Sequence, residues 1–175
     1  MPLLEALTKR MKNLFFLFCL VICAGCSNAQ NNTKSDAQTG FPPFHILTTD
    51  SVYKTPADLK KNKPVMVIYF SPDCSHCQHL MYELKPKMDA LKNVQVVMVT
   101  FVKQIEAIRV FYRDFSLKMY PNFTVGTEGD NMTVLRYYDV HTTPYIALYD
   151  KNRKLVKAWD KAPSVGELTD EAKKL

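Results

Sequence analysis

Two largely apolar segments constrain the fold of this 175-residue chain more than any other feature. Residues 64–70 read PVMVIYF and residues 94–102 read VQVVMVTFV, and both segments are rich in β-branched residues. A strand with one face in water alternates apolar and polar residues, so a continuously apolar strand has both of its faces covered. Such strands predict the interior of a sheet with helices packed on both sides.

The pattern around these strands predicts the rest of the architecture. Apolar residues recur at helical spacing from Leu80 to Leu91, and Pro86 is expected to interrupt that helix because it lacks an N–H group. The other predicted elements are helices near 105–117, 132–138 and 164–174, strands at 144–150 and 154–159 and a possible strand at 123–125. Alternating strands and helices followed by a hairpin predict an α/β three-layer sandwich with a central mixed β-sheet.

Residues 1–25 predict a secretory signal peptide. A short positive start precedes an apolar run from Leu14 to Ile22, which is too short to span a bilayer comfortably. The ending Ala24-Gly25-Cys26 resembles a bacterial lipoprotein signal, in which the cysteine is acylated and becomes the first mature residue. Ordinary cleavage after Ala29 is the alternative, and Met11 is an alternative start of the chain.

Residues 26–43 are predicted to be the lipidated cysteine and a flexible linker, because the segment is mostly polar and cannot pack a core. Residues 44–175 are then one folded domain. Two or more acyl chains hold a protein stably on a membrane. We therefore expect a lipid-anchored domain in the bacterial cell envelope, facing the periplasm or the outside.

The cysteines that remain in this domain form a single pair. The signal peptide contains Cys19 and Cys23, and lipidation occupies Cys26, so only Cys74 and Cys77 are left as free thiols. Two thiols in a compartment that permits disulfides pair with each other or exchange with a partner.

The position of the Cys74-Ser75-His76-Cys77 motif favours redox chemistry over two inert buried thiols. The motif follows a predicted strand and opens a predicted helix, whose unsatisfied N–H groups and dipole stabilise a thiolate at Cys74. Cys77 lies one turn further in and can resolve a mixed disulfide. His76 can add positive charge near Cys74 and tune the reduction potential.

These features resemble the thioredoxin fold. A strand precedes the CxxC motif, and Thr143-Pro144 follows about seventy residues later, before the hairpin. The resemblance covers residues 44–175. The phrases SPDCSHC and TTPYIALYD are most similar to membrane-tethered TlpA-like redoxin lipoproteins of Bacteroidetes-type bacteria.

The resemblance implies the activity of a thiol–disulfide oxidoreductase. It implies a cis peptide bond at Pro144, which faces the cysteines, and pairing of the Thr143 backbone with the substrate chain. No cofactor is expected, because the Cys74–Cys77 disulfide itself holds two electrons. The implied partners are protein thiols or disulfides and a membrane redox partner.

Two points depart from the family pattern or stay open. Ile68 stands six residues before the first cysteine, where thioredoxin has a buried aspartate, so the usual proton acceptor for Cys77 is missing. A histidine before the second cysteine resembles the oxidant DsbA, whereas tethered redoxins of the TlpA type are often reductants. The direction of electron flow is therefore left open.

Three other classes of function are alternatives to the oxidoreductase. Cys74 and Cys77 with a nearby histidine (His76, His79 or His141) could bind Cu(I) or Zn in a metallochaperone-type protein. Ser71-Pro72-Asp73-Cys74 fits part of a peroxiredoxin motif, but Val67 replaces its proline. A non-catalytic binding module is the third alternative.

Charge excludes one further class of partner. The net charge is +6, but acidic and basic residues are interspersed along the chain without a long basic run. This pattern predicts a solvated surface of mixed charge and gives no support to nucleic-acid binding.

Overall fold

The computed structural model describes residues 40–175, so the predicted signal peptide, Cys26 and most of the predicted linker lie outside the described residues. Seven strands form one sheet in the order β2-β1-β5-β4-β3-β6-β7. The strands are β1 Ile46–Thr48, β2 Tyr53–Lys54, β3 Val65–Tyr69, β4 Gln95–Thr100, β5 Phe123–Thr127, β6 Tyr145–Tyr149 and β7 Leu155–Trp159.

The predicted α/β three-layer sandwich with a central mixed sheet is confirmed. Strands β3, β4 and β5 are parallel to one another, while β6 is antiparallel to β3, β7 to β6 and β1 to β5. Helices flank this sheet, and their bounds are α1 Ser75–Leu84, α2 Ile105–Asp114, α3 Thr133–Tyr138 and α4 Val165–Lys173.

Strand β3 shows why its sequence is continuously apolar. Met66 and Ile68 belong to the core cluster under α1, α2 and α4, whereas Val65, Val67 and Tyr69 belong to the cluster under α3 and the N-terminal segment. Successive side chains of a strand point to opposite faces. Both faces of β3 are therefore buried, as the sequence predicted.

Proline and a capping serine set two helix ends. Helix α1 ends at Leu84, and a 3₁₀ helix at Lys85–Leu91 that contains Pro86 continues the chain, as expected from a residue without an N–H group. At α4, the Ser164 hydroxyl accepts a hydrogen bond from the Glu167 N–H at 3.2 Å. The Glu167 carboxylate bonds Lys157 and Trp159 instead of closing a capping box.

The short strands β1 and β2 were not predicted. Strand β1 lies next to β5, and Leu47 pairs with Thr127. The chain enters the domain before β1 at Phe41, whose ring lies 4.9 Å from that of Tyr149. Within residues 40–175, no helix is both long enough and apolar enough to cross a membrane.

Candidate active site

The CxxC motif lies where a strand of the parallel centre of the sheet ends. Strand β3 ends at Tyr69, residues 70–73 form the turn, and Cys74 is the N-cap of α1. We call this end of the sheet the CxxC edge; its loops are residues 70–74, 101–104, 128–132, 139–144 and 160–164. The predicted strand–CxxC–helix arrangement is present.

Backbone and amide hydrogen bonds shape the turn before α1. The Cys74 N–H donates to the Ser71 carbonyl at 3.1 Å, and the Gln78 N–H donates to the Cys74 carbonyl at 3.0 Å. The Gln78 side-chain amide donates to the Pro72 carbonyl at 2.7 Å. Gln78 thus ties the first turn of α1 to the loop, a role that the sequence alone did not indicate.

The Cys74 sulfur is half-buried and surrounded by hydrogen-bonding groups. The Cys77 N–H donates to Cys74 Sγ at 3.3 Å, and the Cys74 thiol donates to the Thr143 carbonyl at 3.3 Å. Burial alone would raise the pKa of the Cys74 thiol. Hydrogen bonds from the Cys77 and Thr143 side chains and from the N–H groups of Cys77 and His76 outweigh burial and lower this pKa below its usual value.

The Cys77 thiol, in contrast, is buried and has a raised pKa. Its side chain is only 2% exposed. Burial, together with the hydrogen bond to Cys74, raises the pKa of Cys77 to about 12, although the Ser71 backbone and Thr143 act against this shift. The two thiols therefore differ in both access and acidity: Cys74 ionises first and Cys77 keeps its proton.

Thr143 and Pro144 come from a distant part of the chain to face the cysteine pair. The Thr143–Pro144 peptide bond is cis, as the resemblance implies. Thr143 contacts the Cys74 sulfur through its carbonyl, and its side chain lowers the pKa of both thiols. The neighbouring Thr142 hydroxyl donates to the Asp160 carbonyl at 2.9 Å and so fixes this loop to the end of β7.

The histidines that the metal alternative required are not gathered at the sulfurs. The His76 side chain is exposed, and the hydrogen bond from His76 to Cys74 comes from its backbone N–H. His79 lies 3.4 Å from Glu83, and His141 lies 3.1 Å from Asp139. Within residues 40–175, no three His, Cys, Asp or Glu residues form a group that could hold a metal ion.

A buried glutamate supports the site from the other face of the sheet. Glu128 is 4% exposed, and its carboxylate accepts hydrogen bonds from the Tyr69 hydroxyl at 2.8 Å and from the Val134 N–H at 2.7 Å. Burial and the hydrogen bond to Glu128 raise the pKa of Tyr69. The contact joins the strand that precedes the CxxC motif to the start of α3, the helix that leads into the loop of Thr143.

Comparison with known proteins identifies the fold family. A sequence model described as the thioredoxin-like domain matches residues 57–171, which is more than half of the chain. The chain belongs to the thioredoxin-like domain family. No curated protein sequence matches it.

Solved structures agree with this thioredoxin-like fold. A secreted Mycobacterium tuberculosis disulfide oxidoreductase homologous to E. coli DsbE is similar with a TM-score of 0.64 and 20% identity, covering 76% of this chain and 96% of that one. The C-terminal domain of a putative thiol-disulfide oxidoreductase from Bacteroides thetaiotaomicron has a TM-score of 0.63 at 12% identity, with 78% and 95% covered. Copper-bound ScoI of Arabidopsis thaliana has a TM-score of 0.61 at 18% identity, with 77% and 96% covered. At these identities the likeness shows the fold alone.

This thioredoxin-like domain keeps an apolar side chain where thioredoxin has its buried acid. Ile68 is 1% exposed and belongs to the same core cluster as Cys77. The polar groups that interact with the Cys77 sulfur are the Cys74 sulfur, the Ser71 backbone and the Thr143 side chain. A hydroxyl and backbone groups thus provide the polar surroundings of the buried thiol.

Proposed function

We propose that this protein is an exported, lipid-anchored thiol–disulfide oxidoreductase that exchanges disulfides with other proteins through Cys74 and Cys77. One observation supports the proposal above all others. A half-buried thiol with a lowered pKa lies next to a buried thiol with a raised pKa, at the start of a helix and beside Thr143. Thiol exchange needs this asymmetry, because one sulfur must attack from the surface while the other stays protonated until the mixed disulfide has formed.

In the first step, the Cys74 thiolate attacks one sulfur of a substrate disulfide. A bond forms between Cys74 Sγ and that sulfur, and the substrate disulfide bond breaks. The other substrate sulfur leaves as a thiolate and takes a proton from solvent. The N–H groups at the start of α1 stabilise the attacking thiolate, because they point at Cys74 without needing to reorganise.

In the second step, Cys77 attacks Cys74 Sγ in the mixed disulfide. The Cys74–Cys77 disulfide forms, the mixed disulfide breaks, and the departing substrate sulfur takes the proton that Cys77 gives up. Two electrons have then passed from the cysteine pair to the substrate. The reverse sequence oxidises a substrate dithiol, and the reduction potential of the pair decides which direction prevails. No cofactor enters either step.

Thr143 and Pro144 form the substrate groove in this proposal. The Thr143 carbonyl is the acceptor that the Cys74 thiol occupies in this structure. Ionisation of Cys74 removes the donated proton and frees this carbonyl. An extended substrate chain can then pair with the Thr143 backbone while its disulfide faces Cys74.

The proposals of a lipid anchor and of a membrane redox partner are based on the sequence. The signal-like residues 1–25 are followed by Cys26 in a lipoprotein-like pattern, and this segment lies outside the described residues. The similar M. tuberculosis protein is a secreted disulfide oxidoreductase. We infer a tethered enzyme of the redoxin lipoprotein type, which acts in the cell envelope and exchanges electrons with a membrane partner.

The first experiment is the reduction potential of residues 27–175 in glutathione and dithiothreitol buffers. A single two-electron transition that disappears in Cys74→Ser and in Cys77→Ser supports the proposal. A potential near about −270 mV assigns a reductant, and one near about −120 mV assigns an oxidant. Failure to form a Cys74–Cys77 disulfide at any potential would refute the oxidoreductase function.

A separate experiment tests the anchor. The full chain is expressed in bacteria with a radioactive fatty acid, and its label is compared with that of the Cys26→Ser variant. Label that depends on Cys26 supports the lipoprotein. Unlabelled protein that starts at Gln30 would show cleavage after Ala29 and would refute the lipid anchor.

A further inference from the structure

The fold separates charges that are mixed along the sequence. The edge of the sheet opposite the CxxC edge consists of the starts of β3, β4, β5 and β7 and the end of β6. Its loops, residues 58–64, 92–94, 115–122 and 150–154, contain the exposed lysines Lys60, Lys61, Lys63, Lys92, Lys118, Lys151 and Lys154. We call these seven lysines the basic edge.

The basic edge has little acidic charge to neutralise it. Asp58 and Asp150 are the acidic residues of those loops, and both are engaged: Asp58 with Thr55 and Lys54, and Asp150 with the backbone N–H groups of its own turn. None of the seven lysines forms an ion pair within residues 40–175. The edge therefore presents unpaired positive charge to its surroundings.

The CxxC edge has the opposite balance. Its loops contain four exposed aspartates and the buried Glu128, but only two lysines, of which Lys103 pairs with Asp130. The aspartates are Asp73, Asp130, Asp139 and Asp160. The domain is thus polarised, with net negative charge beside the reactive thiol and net positive charge at the far end.

An exposed apolar residue lies among the lysines. Lys60, Lys63 and Lys92 line a cleft of about 410 Å³, and its other lining residues include Asp58, Asp89, Met119, Tyr120 and Pro121. The Met119 side chain is 76% exposed. An excess of ammonium groups beside an exposed methionine fits the interface of a bilayer, where phosphate groups surround an apolar interior.

The chain also enters the domain at this edge. The Arg153 guanidinium, in the turn between β6 and β7, lies 5.0 Å from the Phe41 ring centroid, and Arg153 Nη2 donates to the Lys60 carbonyl at 3.1 Å. The Phe41 ring also packs on Tyr149, the last residue of β6. Any anchor upstream of Phe41 is therefore connected to the domain beside the basic edge.

We propose that the basic edge is a docking surface for a bilayer that contains anionic lipids, and that docking holds the CxxC edge away from the membrane. The lysines provide electrostatic attraction, Met119 provides apolar contact, and the entry of the chain at Phe41 gives the orientation. This inference goes beyond thiol exchange and shares only the membrane anchor with the proposed function. Its test uses unacylated protein, so neither the anchor nor the redox activity can decide the result.

The experiment measures binding of residues 27–175 to vesicles by sedimentation. This segment contains the whole sheet and both core clusters, and a cooperative thermal transition checks that each variant is folded. Vesicles of phosphatidylcholine alone are compared with vesicles that also contain phosphatidylglycerol. We expect binding to the anionic vesicles that weakens as salt increases. Neutralising Lys60, Lys63 and Lys92 to Gln is expected to weaken it about a hundredfold.

A matched variant keeps the same change in charge but leaves the basic edge intact. Replacing Lys103, Arg136 and Lys161 with Gln is expected to change vesicle affinity less than about threefold. Equal losses in the two variants, or no binding of the wild type to anionic vesicles, would overturn the proposal. Retention by soluble polyglutamate without vesicle binding would also overturn it and would indicate an acidic protein as the partner.

The orientation of the domain on the vesicle is tested separately, by alkylation of cysteines. Alkylation of Cys74 by a water-soluble maleimide should proceed at the same rate whether or not anionic vesicles are present. A cysteine introduced by Lys63→Cys in a Cys74→Ser/Cys77→Ser background should instead be protected by the vesicles. Protection of Cys74, or free reaction of the introduced cysteine on fully bound protein, contradicts the proposed orientation.

Discussion

Thr143→Val tests whether the acidity of the reactive thiol depends on a single distant hydroxyl. The Thr143 carbonyl contacts the Cys74 sulfur, and the Thr143 side chain lowers the pKa of each thiol. Valine has nearly the same shape but lacks the hydroxyl, so the substitution removes this polar interaction and keeps the packing. The expected result is a Cys74 thiol with a higher pKa than in the wild type.

The size of the effect follows from the energy of the lost bond. A hydrogen bond to a charged group contributes about 1.5–3 kcal/mol, and the lower end applies because one hydroxyl is shared by two sulfurs. About 1.4 kcal/mol changes the ratio of thiolate to thiol about tenfold. The remaining thiolate is more nucleophilic, with a Brønsted coefficient of about 0.4–0.5, so alkylation below the pKa should slow only about three- to fourfold.

The assay is the pH dependence of iodoacetamide alkylation of the reduced protein, with thiolate absorbance as a second readout. Thr142→Val is the matched control, because the Thr142 hydroxyl bonds the Asp160 carbonyl and not a sulfur. We expect a displaced titration for Thr143→Val and an unchanged one for Thr142→Val. Identical curves for Thr143→Val and the wild type, or equal displacement in both variants, would refute the role of the Thr143 hydroxyl.

Three further predictions address the buried thiol, the sheet and the pH dependence of stability. Cys77→Ser should accumulate a mixed disulfide with a protein substrate on a non-reducing gel, whereas Cys74→Ser should form none; trapping by Cys74→Ser instead would reverse the assigned roles. Gly126→Ala should lower the free energy of unfolding in urea by about 1–3 kcal/mol, because an added Cβ would lie 2.7 Å from the Leu47 carbonyl oxygen; an unchanged value contradicts the close contact of β1 with β5. The pKa of Cys74 is lowered in the folded protein, so the stability of the reduced wild type relative to Cys74→Ser should rise as the pH increases through this lowered pKa towards the usual thiol pKa of about 8.5, and should fall as the pH decreases. The Cys77 thiol, with its pKa raised to about 12, lowers the stability only above the usual thiol pKa. Urea unfolding in which the difference shrinks as the pH rises towards about 8.5 contradicts the assignment.

The parts of the fold that the sequence predicted are those with strong local signals. Strand β3 and the centre of β4 are continuously apolar because both of their faces are buried, and Pro86 marks the end of α1 through its missing N–H group. The CxxC motif was predicted at the start of a helix from its place after an apolar strand. Each of these inferences needs only a few neighbouring residues.

Strands β1 and β2 escaped prediction because their cause lies elsewhere in the chain. They contain three and two residues, too few to show a period. Strand β1 is held by β5, and Gly126 allows the Leu47 carbonyl to approach more closely than a side chain would permit. That pairing joins residues almost eighty positions apart and has no local signature.

The distribution of charge on the surface also could not be predicted from neighbouring residues. Acidic and basic residues alternate along the sequence and predicted a mixed surface. The chain passes from one edge of the sheet to the other with each strand and helix, however, so loops at the same edge are separated in sequence by whole elements. Charges that look interspersed along the chain are thereby sorted into a basic edge and an acidic CxxC edge.

The candidate site combines one local and one distant component, and this explains which of its residues could be predicted. The start of α1 determines the access of Cys74 and the burial of Cys77, and the motif alone indicates both. The polar surroundings of the sulfurs depend on the loop of Thr143, which is positioned by contacts invisible in the sequence: Thr142 with the end of β7, and Glu128 with Tyr69 and α3. Because the Glu128 carboxylate accepts hydrogen bonds from Tyr69 in β3 and from Val134 in α3, one buried carboxylate holds the strand that precedes the cysteines and the helix that leads to Thr143. The reactivity of the CxxC pair is therefore a property of the assembled edge of the sheet, and not of the four-residue motif alone.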